Sequence, residues 1–151
     1  MIRIARITEL PPGIRTLREE ADRNGIRNMG LLIDEWASGA ERFDGVGEAL
    51  FAAYDGDTLV GMGGVTRETD IPAMRMRRLY ILKAYRKRGA GRALAQALIA
   101  KGFESADLLT CNARATPEAA IFWEATGFER VERAGWTHER RAITGPAARR
   151  Q

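Results

Sequence analysis

The feature that most constrains the fold is a basic, glycine-containing loop between an apolar segment and a helical one. Residues 75–82 mix apolar and polar side chains in a way that predicts a strand with a bulge. Gly89-Ala90-Gly91 then opens a segment, ending near Lys101, in which apolar residues recur at helical spacing. At such a junction consecutive backbone amides converge on one point, and the helix dipole adds positive potential there. The segment therefore predicts an anion site within a fold of mixed strands and helices.

The charge of the chain is concentrated in the same segment. The chain has 24 Lys and Arg against 20 Asp and Glu, a formal net charge of +4. Between Ile71 and Phe103 there are nine basic residues and no acidic one, which leaves 15 basic and 20 acidic residues elsewhere. An acidic body with one basic band indicates a localised anionic ligand. The basic residues of the band are Arg75, Arg77, Arg78, Lys83, Arg86, Lys87, Arg88, Arg92 and Lys101.

Length and composition exclude several classes of protein. A chain of 151 residues with 45% hydrophobic and 29% charged residues is typical of one globular domain. No apolar run reaches the roughly 18–20 residues of a membrane span, and the N-terminus lacks a signal-peptide core. A single cysteine, Cys111, and a single histidine, His138, exclude a disulfide and the usual zinc patterns. We therefore expect one cytoplasmic domain over residues 1–144, no metal, and a disordered tail at 145–151.

Periodicity and turn signals predict the order of strands and helices. Thr116, Pro117 and Glu118 supply a cap, a proline at the first helical position and an acid in the first turn, and Gly127 suits the stop. Asn28 is expected to cap an earlier helix. The predicted strands are 2–7, 49–54, 59–66, 75–82 and 108–112, with a closing hairpin from 128–133 and 136–143. The predicted helices are 14–23, 28–38, 90–101 and the one that begins after Thr116.

Two common phosphate motifs do not match the loop. A mononucleotide P-loop needs Gly-x4-Gly-Lys-Ser/Thr, which is absent. A dinucleotide fingerprint needs a third glycine where Leu94 stands.

The spacing Arg86-x-x-Gly89-x-Gly91 resembles the Gln/Arg-x-x-Gly-x-Gly/Ala signature of the Gcn5-related N-acetyltransferase (GNAT) family. The block from Thr116 to Phe128, Thr-Pro-Glu-Ala-Ala-Ile-Phe-Trp-Glu-Ala-Thr-Gly-Phe, is similar to the late helix of that family. The resemblance implies an α/β fold of the α+β kind: a mixed, mostly antiparallel twisted sheet flanked by helices. The implied order is β-α-α-β-β-β-α-β-α-β-β, which agrees with the elements predicted above.

The resemblance also implies an activity and a set of site residues. The loop would bind acetyl-CoA, and an amine acceptor would attack the thioester directly in a ternary complex. A backbone N–H near Ile81 would hold the oxyanion. The residues implied to contact the cofactor are Leu79, Tyr80, Ile81, Arg86, Lys87, Arg88, Gly89, Ala90, Gly91, Arg92, Asn112, Thr116 and Phe122.

The sequence departs from the family pattern at the catalytic acid. Trp123 stands where a tyrosine often protonates the leaving thiolate, and an indole N–H donates a hydrogen bond without supplying a proton. Water or Tyr80 could protonate the thiolate, or Trp123 could stabilise it. Thr116 replaces a frequent asparagine. The candidate general bases are Glu35, Glu68, Asp70 and His138, the last being expected on the surface.

Two other functions remain open on sequence grounds. Trp123 and the lack of a clear base motivate a catalytically weak CoA-binding or regulatory module. The basic band motivates nucleic-acid binding, which the lack of interleaved aromatic residues disfavours. The expected partner is a small-molecule or peptide amine, with no membrane, and a homodimer is left open. Cys111 is expected to be a buried strand thiol and Trp36 a core residue of its helix.

Overall fold

The fold is described from a computed structural model that covers residues 1–143. Within these residues seven strands form one sheet in the order β1-β2-β3-β4-β5-β7-β6. Every neighbouring pair is antiparallel except β4 and β5, which run parallel. The strands are β1 (Ile2–Ile7), β2 (Ala49–Asp55), β3 (Thr58–Arg67), β4 (Met74–Ile81), β5 (Leu108–Cys111), β6 (Glu129–Arg130) and β7 (His138–Arg141).

Four α-helices in the described chain cover the sheet, and their local sequence accounts for a buried stripe on α1 and a side-chain cap on α4. Ile14, Leu17 and Ala21 form the buried stripe of the first helix. Thr116 caps the fourth by accepting a 3.1 Å hydrogen bond from the Ala119 amide. The helices are α1 (Ile14–Arg23), α2 (Asn28–Ser38), α3 (Ala90–Phe103) and α4 (Pro117–Ala125). A short 3₁₀ turn, Lys83–Tyr85, lies between β4 and α3.

The helices divide the core between the two faces of the sheet. On one face, α3 and α4 pack through Leu98 and Trp123 against residues such as Met76 and Leu109. On the other face, α1 and α2 bury a cluster that includes Tyr80. The side chains of β4 therefore reach one helix pair or the other according to their place in the strand.

A bulge in β4 exchanges the faces midway along the strand. The register against β3 shifts between Met62 and Gly64, and Arg78, with φ of 58°, lies at the shift. Met76 before the bulge and Ile81 after it both face the α3 side, although they differ by an odd number of positions. The extra residue thus turns the end of β4 relative to its beginning.

The predicted element order, the mostly antiparallel sheet and the bulge are confirmed. The closing hairpin is shorter than predicted, because β6 has two residues and β7 has four. The cap predicted at Asn28 is wrong, because Arg27 holds the cap position and makes no side-chain hydrogen bond there. The side-chain amide of Asn28 instead donates to the Leu79 carbonyl at 2.9 Å. The predicted tail at 145–151 lies outside the described residues.

Candidate active site

The candidate site begins where the parallel strands β4 and β5 separate. Their pairing runs from Met74 with Leu109 to Met76 with Cys111 and then stops. Beyond that point β4 continues to pair with β3 as far as Ile81. On the opposite edge of β5, toward β7, the Cys111 carbonyl accepts the backbone amide of Thr137 at 3.0 Å. The strands therefore splay, and the edge of β4 from Arg77 to Ile81 faces the gap.

The open edge of β4 carries a backbone amide aimed into this gap. The Leu82 amide donates to Val60 of β3 at 2.9 Å. Because successive backbone groups along a strand point to opposite edges, the amide of Ile81 points away from β3. The carbonyl of Ile81 lies on the same edge and accepts the Arg86 Nε–H at 2.9 Å.

The loop after β4 leaves a run of amides without protein acceptors. The first helical bond of α3 joins the Ala93 amide to the Gly89 carbonyl at 3.0 Å. Among the described residues, the amides of 87–92 donate to no backbone carbonyl, and Gly89 gives no side-chain cap. Gly89 has φ of 89°, and a Cβ there would meet nothing within 4 Å. This is the geometry of an anion cradle that is open on its outer side.

The cations around this loop are not used in salt bridges. Arg86 and Arg88 lie over the rings of Tyr80 and Tyr85 at 5.3 and 4.9 Å. No Asp or Glu of residues 1–143 forms an ion pair with the basic side chains of the loop. Those basic side chains are Lys83, Arg86, Lys87, Arg88 and Arg92. The charge is therefore available to a bound anion.

The late helix packs directly against the start of α3. A Cβ on Gly91 would lie 3.1 Å from Phe122 Cε1, a tight contact, so the glycine lets the two helices come close without displacing the ring. The structure thus brings the predicted contacts Gly91 and Phe122 together. The Thr116 hydroxyl is occupied by its cap bond, and Asn112 Oδ1 accepts the Arg114 amide at 3.1 Å.

Trp123 is a core residue with one polar atom to spare. Its side chain is buried and meets the rings of Phe122 and Phe128 edge-to-face at centroid distances of 5.2 and 5.1 Å. Its indole N–H makes no hydrogen bond with the described residues, yet it is not among their sealed, unpartnered polar atoms. Packing and ligand contact are compatible at this position.

Tyr80 lies on the opposite face of the sheet from Trp123. Its hydroxyl donates to Glu20 Oε2 of α1 at 2.6 Å, and the same oxygen accepts the Lys83 amide at 3.0 Å. Burial, with the hydrogen bond to Glu20, raises the pKa of Tyr80 to about 12. The phenol thus holds its proton tightly and directs it toward α1.

The expectation that His138 lies on the surface is wrong, because only 1% of the residue is exposed. It faces α4 from β7, and its Nδ1 lies 2.7 Å from the Thr137 hydroxyl. Its Nε2 lies 2.8 Å from Glu124 Oε2. The imidazole therefore joins β7 to α4 on the same face of the sheet as its cross-strand partner Cys111.

The other candidate bases are placed on or near the α1–α2 face. Glu35 of α2 pairs with Arg78 at 2.8 Å. Glu68 accepts the Thr110 hydroxyl at 2.6 Å and lies 3.5 Å from Arg75. Asp70 is exposed in the loop between β3 and β4.

The predictions that Cys111 is buried and that Trp36 packs in the core of its helix are confirmed. Burial raises the pKa of the Cys111 thiol to about 12, and Trp36 packs against the α1–α2 cluster.

Sequence reasoning missed two residues that shape the site. Asn28 holds the Leu79 carbonyl beside the bulge, and its Oδ1 is a buried acceptor without a partner among the described residues. Glu20 fixes both Tyr80 and the start of the basic loop. Asn28 is a polar residue at the start of α2, and Glu20 is an acid among the polar residues of α1. Nothing in the sequence around either residue indicates a partner so far along the chain.

Two cavities lie beside the site rather than in the loop itself. One of about 330 Å³ is bounded by the β6–β7 connection, with Arg114, Arg133 and Trp136 in its wall. The other, of about 490 Å³, lies between α3 and the end of α4.

Over residues 1–143 no helix is long and apolar enough to cross a membrane. The same residues contain no cluster of three or more metal-binding side chains.

Comparisons with known proteins agree with this geometry. The family model described as an acetyltransferase (GNAT) domain matches residues 17–141. A search of curated proteins found no significant match.

Several solved structures share the fold. A protein proposed to be an acetyltransferase, from Exiguobacterium sp. 255-15, aligns with a TM-score of 0.84 at 22% identity over 93% of each chain. An acetyltransferase from Streptococcus agalactiae 2603 aligns at 0.75 and 13% identity, covering 93% of this chain and 98% of that one. The PaiA N-acetyltransferase from Thermoplasma acidophilum, in complex with coenzyme A, aligns at 0.65 and 18% identity, covering 93% and 99%.

Proposed function

Because the chain belongs to the GNAT acetyltransferase family, we propose that it transfers an acetyl group from acetyl-CoA to a primary amine. The observation that carries the proposal is the run of unsatisfied amides at 87–92, surrounded by unpaired cations and adjoining the open edge of β4. An anion cradle and an exposed strand amide within one segment suit a ligand with phosphates at one end and a reactive carbonyl at the other. The PaiA structure, solved with coenzyme A, supports the same ligand class.

The binding contacts follow from the positions of the loop residues. The amides from Lys87 to Arg92, with the side chains of Arg86 and Arg88, would hold the pyrophosphate and the 3′-phosphate. Leu79 and Ile81 would offer backbone groups to the extended arm of the ligand. Binding there requires Arg86 to release the Ile81 carbonyl, which its Nε–H now contacts.

The chemistry is direct acyl transfer to nitrogen. The deprotonated amine attacks the thioester carbonyl, the C–N bond forms, and the oxyanion accepts the Ile81 amide N–H. Collapse breaks the C–S bond and releases the thiolate, and the amine nitrogen gives up its proton. A thiol has a pKa of about 8.5, so the thiolate leaves readily near neutral pH.

The leaving group would be stabilised by Trp123 rather than protonated by a tyrosine. The free indole N–H of Trp123 can donate a hydrogen bond to sulfur but has no proton to give at neutral pH. The Tyr80 proton is engaged with Glu20. Water then supplies the proton of the released thiol.

The decisive experiment combines calorimetric titration with acetyl-CoA and an assay of free-thiol release across a panel of primary amines. We expect binding at micromolar concentration and turnover with at least one class of amine. Failure to bind acetyl-CoA would overturn the proposal. Gly91→Leu should weaken binding because its side chain would meet Phe122. As a control, Gly25→Ala, in the turn after α1 with open space around it, should leave binding unchanged, although its φ of 73° strains an alanine and lowers stability.

The second candidate is a CoA-binding module without catalysis. Trp123 in the position of the usual acid and the engaged Tyr80 hydroxyl favour it. Tight binding of acetyl-CoA with no thiol release for any amine would decide for this function over the first.

A further inference from the structure

The three arginines of β4 have different surroundings, although they are adjacent in sequence. Arg75 donates to the Gly135 carbonyl at 2.9 Å and lies 3.5 Å from Glu68. Arg78 pairs with Glu35 at 2.8 Å. Arg77 is half-buried, but its guanidinium has no hydrogen bond or ion pair with any of residues 1–143. Arg77 is therefore the arginine of β4 that has no hydrogen-bond or ion-pair partner among residues 1–143.

This lack of a partner is energetically unfavourable for the protein alone. Burial, together with the positive charge of Arg78, lowers the pKa of Arg77. A guanidinium nevertheless stays protonated in proteins, so the cost is met by an anion or by water. The nearby carboxylates are already engaged: Glu35 binds Arg78, and Glu41 accepts the Phe43 amide at 2.8 Å.

Arg77 also lies where an acceptor would approach the open edge of β4. It is the first residue after the last β4–β5 pair, Met76 with Cys111, and it comes two residues before Leu79. Arg77 is therefore the residue at which the open edge of β4 begins.

The walls of the Arg77 site come from both ends of the chain. Arg77 is paired in register with Gly64, and a Cβ on that glycine would collide with Phe43 Cε1, so the Phe43 ring lies against this position. On the other side, Arg75 ties the β6–β7 connection to the sheet through Gly135. These two segments thus flank the part of β4 that carries Arg77.

We propose that the acceptor amine carries a carboxylate, as amino acids and peptides do, and that Arg77 binds that carboxylate. A guanidinium presents paired N–H donors that match a carboxylate bidentately. With Arg75 and Arg78 held by their own partners, the site offers one free fork, which suits one carboxylate better than a polyanion. This assignment of substrate class rests on the proposed acetyltransferase function.

The test compares matched acceptors that differ only in the carboxylate. The panel is a set of amino acids and dipeptides, each assayed beside its C-terminal amide for thiol release from acetyl-CoA. The variants are Arg77→Gln and, as a matched change of charge on the exposed surface of α1, Arg15→Gln. Arg77→Lys keeps the charge and removes the fork.

For the best carboxylated acceptor, Arg77→Gln should raise KM about 10- to 100-fold, the range for a lost charge-assisted hydrogen bond, with kcat little changed. The KM of the matched amide should not change, Arg77→Lys should recover only part of the affinity, and Arg15→Gln should behave as the wild type. A merely structural Arg77 would shift both acceptors alike.

The outcomes separate this proposal from the one on which it rests. Equal or better turnover of the amides, no turnover of any carboxylated amine, or an Arg77→Gln effect shared by acid and amide would overturn the carboxylate assignment. In those cases calorimetric binding of acetyl-CoA to the same protein still reports on the proposed function. If the wild-type protein does not bind acetyl-CoA, both the proposed function and the carboxylate assignment are contradicted.

Discussion

The basic loop and strand β4 are both rich in arginine, but they use the charge differently. The loop cations form no salt bridge in the described chain, and they surround amides that donate to no backbone carbonyl. In β4, two of three arginines are paired with acids of other elements, Glu35 and Glu68. Exposed charges without partners cost the fold little and remain available to a ligand, whereas a half-buried charge without a partner, as at Arg77, is costly for the protein alone. The difference distinguishes the exposed loop cations, which we propose bind the ligand, from Arg75 and Arg78, which tie β4 to neighbouring segments.

The largest expected effect is on ligand binding by the loop. Lys87→Glu combined with Arg88→Glu should raise the Kd for acetyl-CoA about 100-fold, since each charge-assisted contact contributes roughly 1.5–3 kcal/mol before solvent screening. Calorimetric titration measures it. The control is the same double reversal at Arg15 and Arg23 of α1, which changes net charge equally and should change Kd little. Equal losses in both proteins would mean that total charge, not this loop, attracts the ligand.

In β4 the corresponding change should alter stability instead. The side chains of Arg78 and Glu35 are 15% and 28% exposed. Glu35→Gln would leave a mostly buried guanidinium unpaired and should lower the free energy of unfolding by about 2 kcal/mol. Glu104→Gln, which breaks the exposed pair with Lys101, should cost about 0.5 kcal/mol or less. Urea unfolding of the two variants compares them, and a loss at Glu35 no larger than that at Glu104 would contradict the distinction.

The same division explains what could be predicted from sequence. Helices, strands and the loop follow from local patterns: the cap at Thr116, the stop at Gly127 and the glycines of the loop all act on their neighbours. The contacts between side chains that are distant in sequence do not follow from local patterns. Tyr80 meets Glu20 across 60 residues, and Asn28 meets Leu79 across 51. Such contacts depend on the position in which α1 and α2 pack on the sheet, and the hydrophobic periodicity of a helix does not predict that position.

His138 shows the same limit at shorter range. A strand of histidine, glutamate and arginines resembles an exposed edge in sequence, yet α4 covers the histidine and supplies Glu124 as its partner. The sequence could place the basic, glycine-containing loop because its glycines and charges are local features, and its role in binding an anion stays a prediction. The identity of the bases and acids depends on pairing, which the sequence does not show.

The raised pKa of Tyr80 predicts how the free energy of unfolding depends on pH. This pKa is about 12 in the folded protein and about 10 in an unfolded chain. The folded state therefore keeps a proton that the unfolded state has lost, and the stabilisation by Tyr80 is full below pH 10 and is lost as pH rises toward 12. The slope from this one group is about 1.4 kcal/mol per pH unit.

Tyr80→Phe should lower stability near neutral pH by about 1 kcal/mol, the value of one hydrogen bond, and should remove this slope. Cys111 also titrates late, with a pKa of about 12, but it is present in both proteins and cancels in their difference. Denaturant unfolding between pH 9 and 11.5 measures the difference. A large fall in kcat with little change in stability would instead assign Tyr80 to catalysis.

The smallest effect should have the opposite sign from the rest. Arg92 stands in the first turn of α3, where a positive charge opposes the helix dipole, and Arg23 stands in the last turn of α1, where it is favoured. Arginine and glutamine have similar helix propensities, so the same substitution isolates the charge. Arg92→Gln should therefore stabilise the protein by about 0.3–0.5 kcal/mol, and Arg23→Gln should destabilise it by a similar amount. Thermal unfolding at low salt would show the two shifts, and both should shrink as salt is added. A gain in stability at Arg92 that accompanies weaker acetyl-CoA binding would show that this charge is kept for the ligand at the expense of the helix, while loss of stability at both positions would remove that distinction.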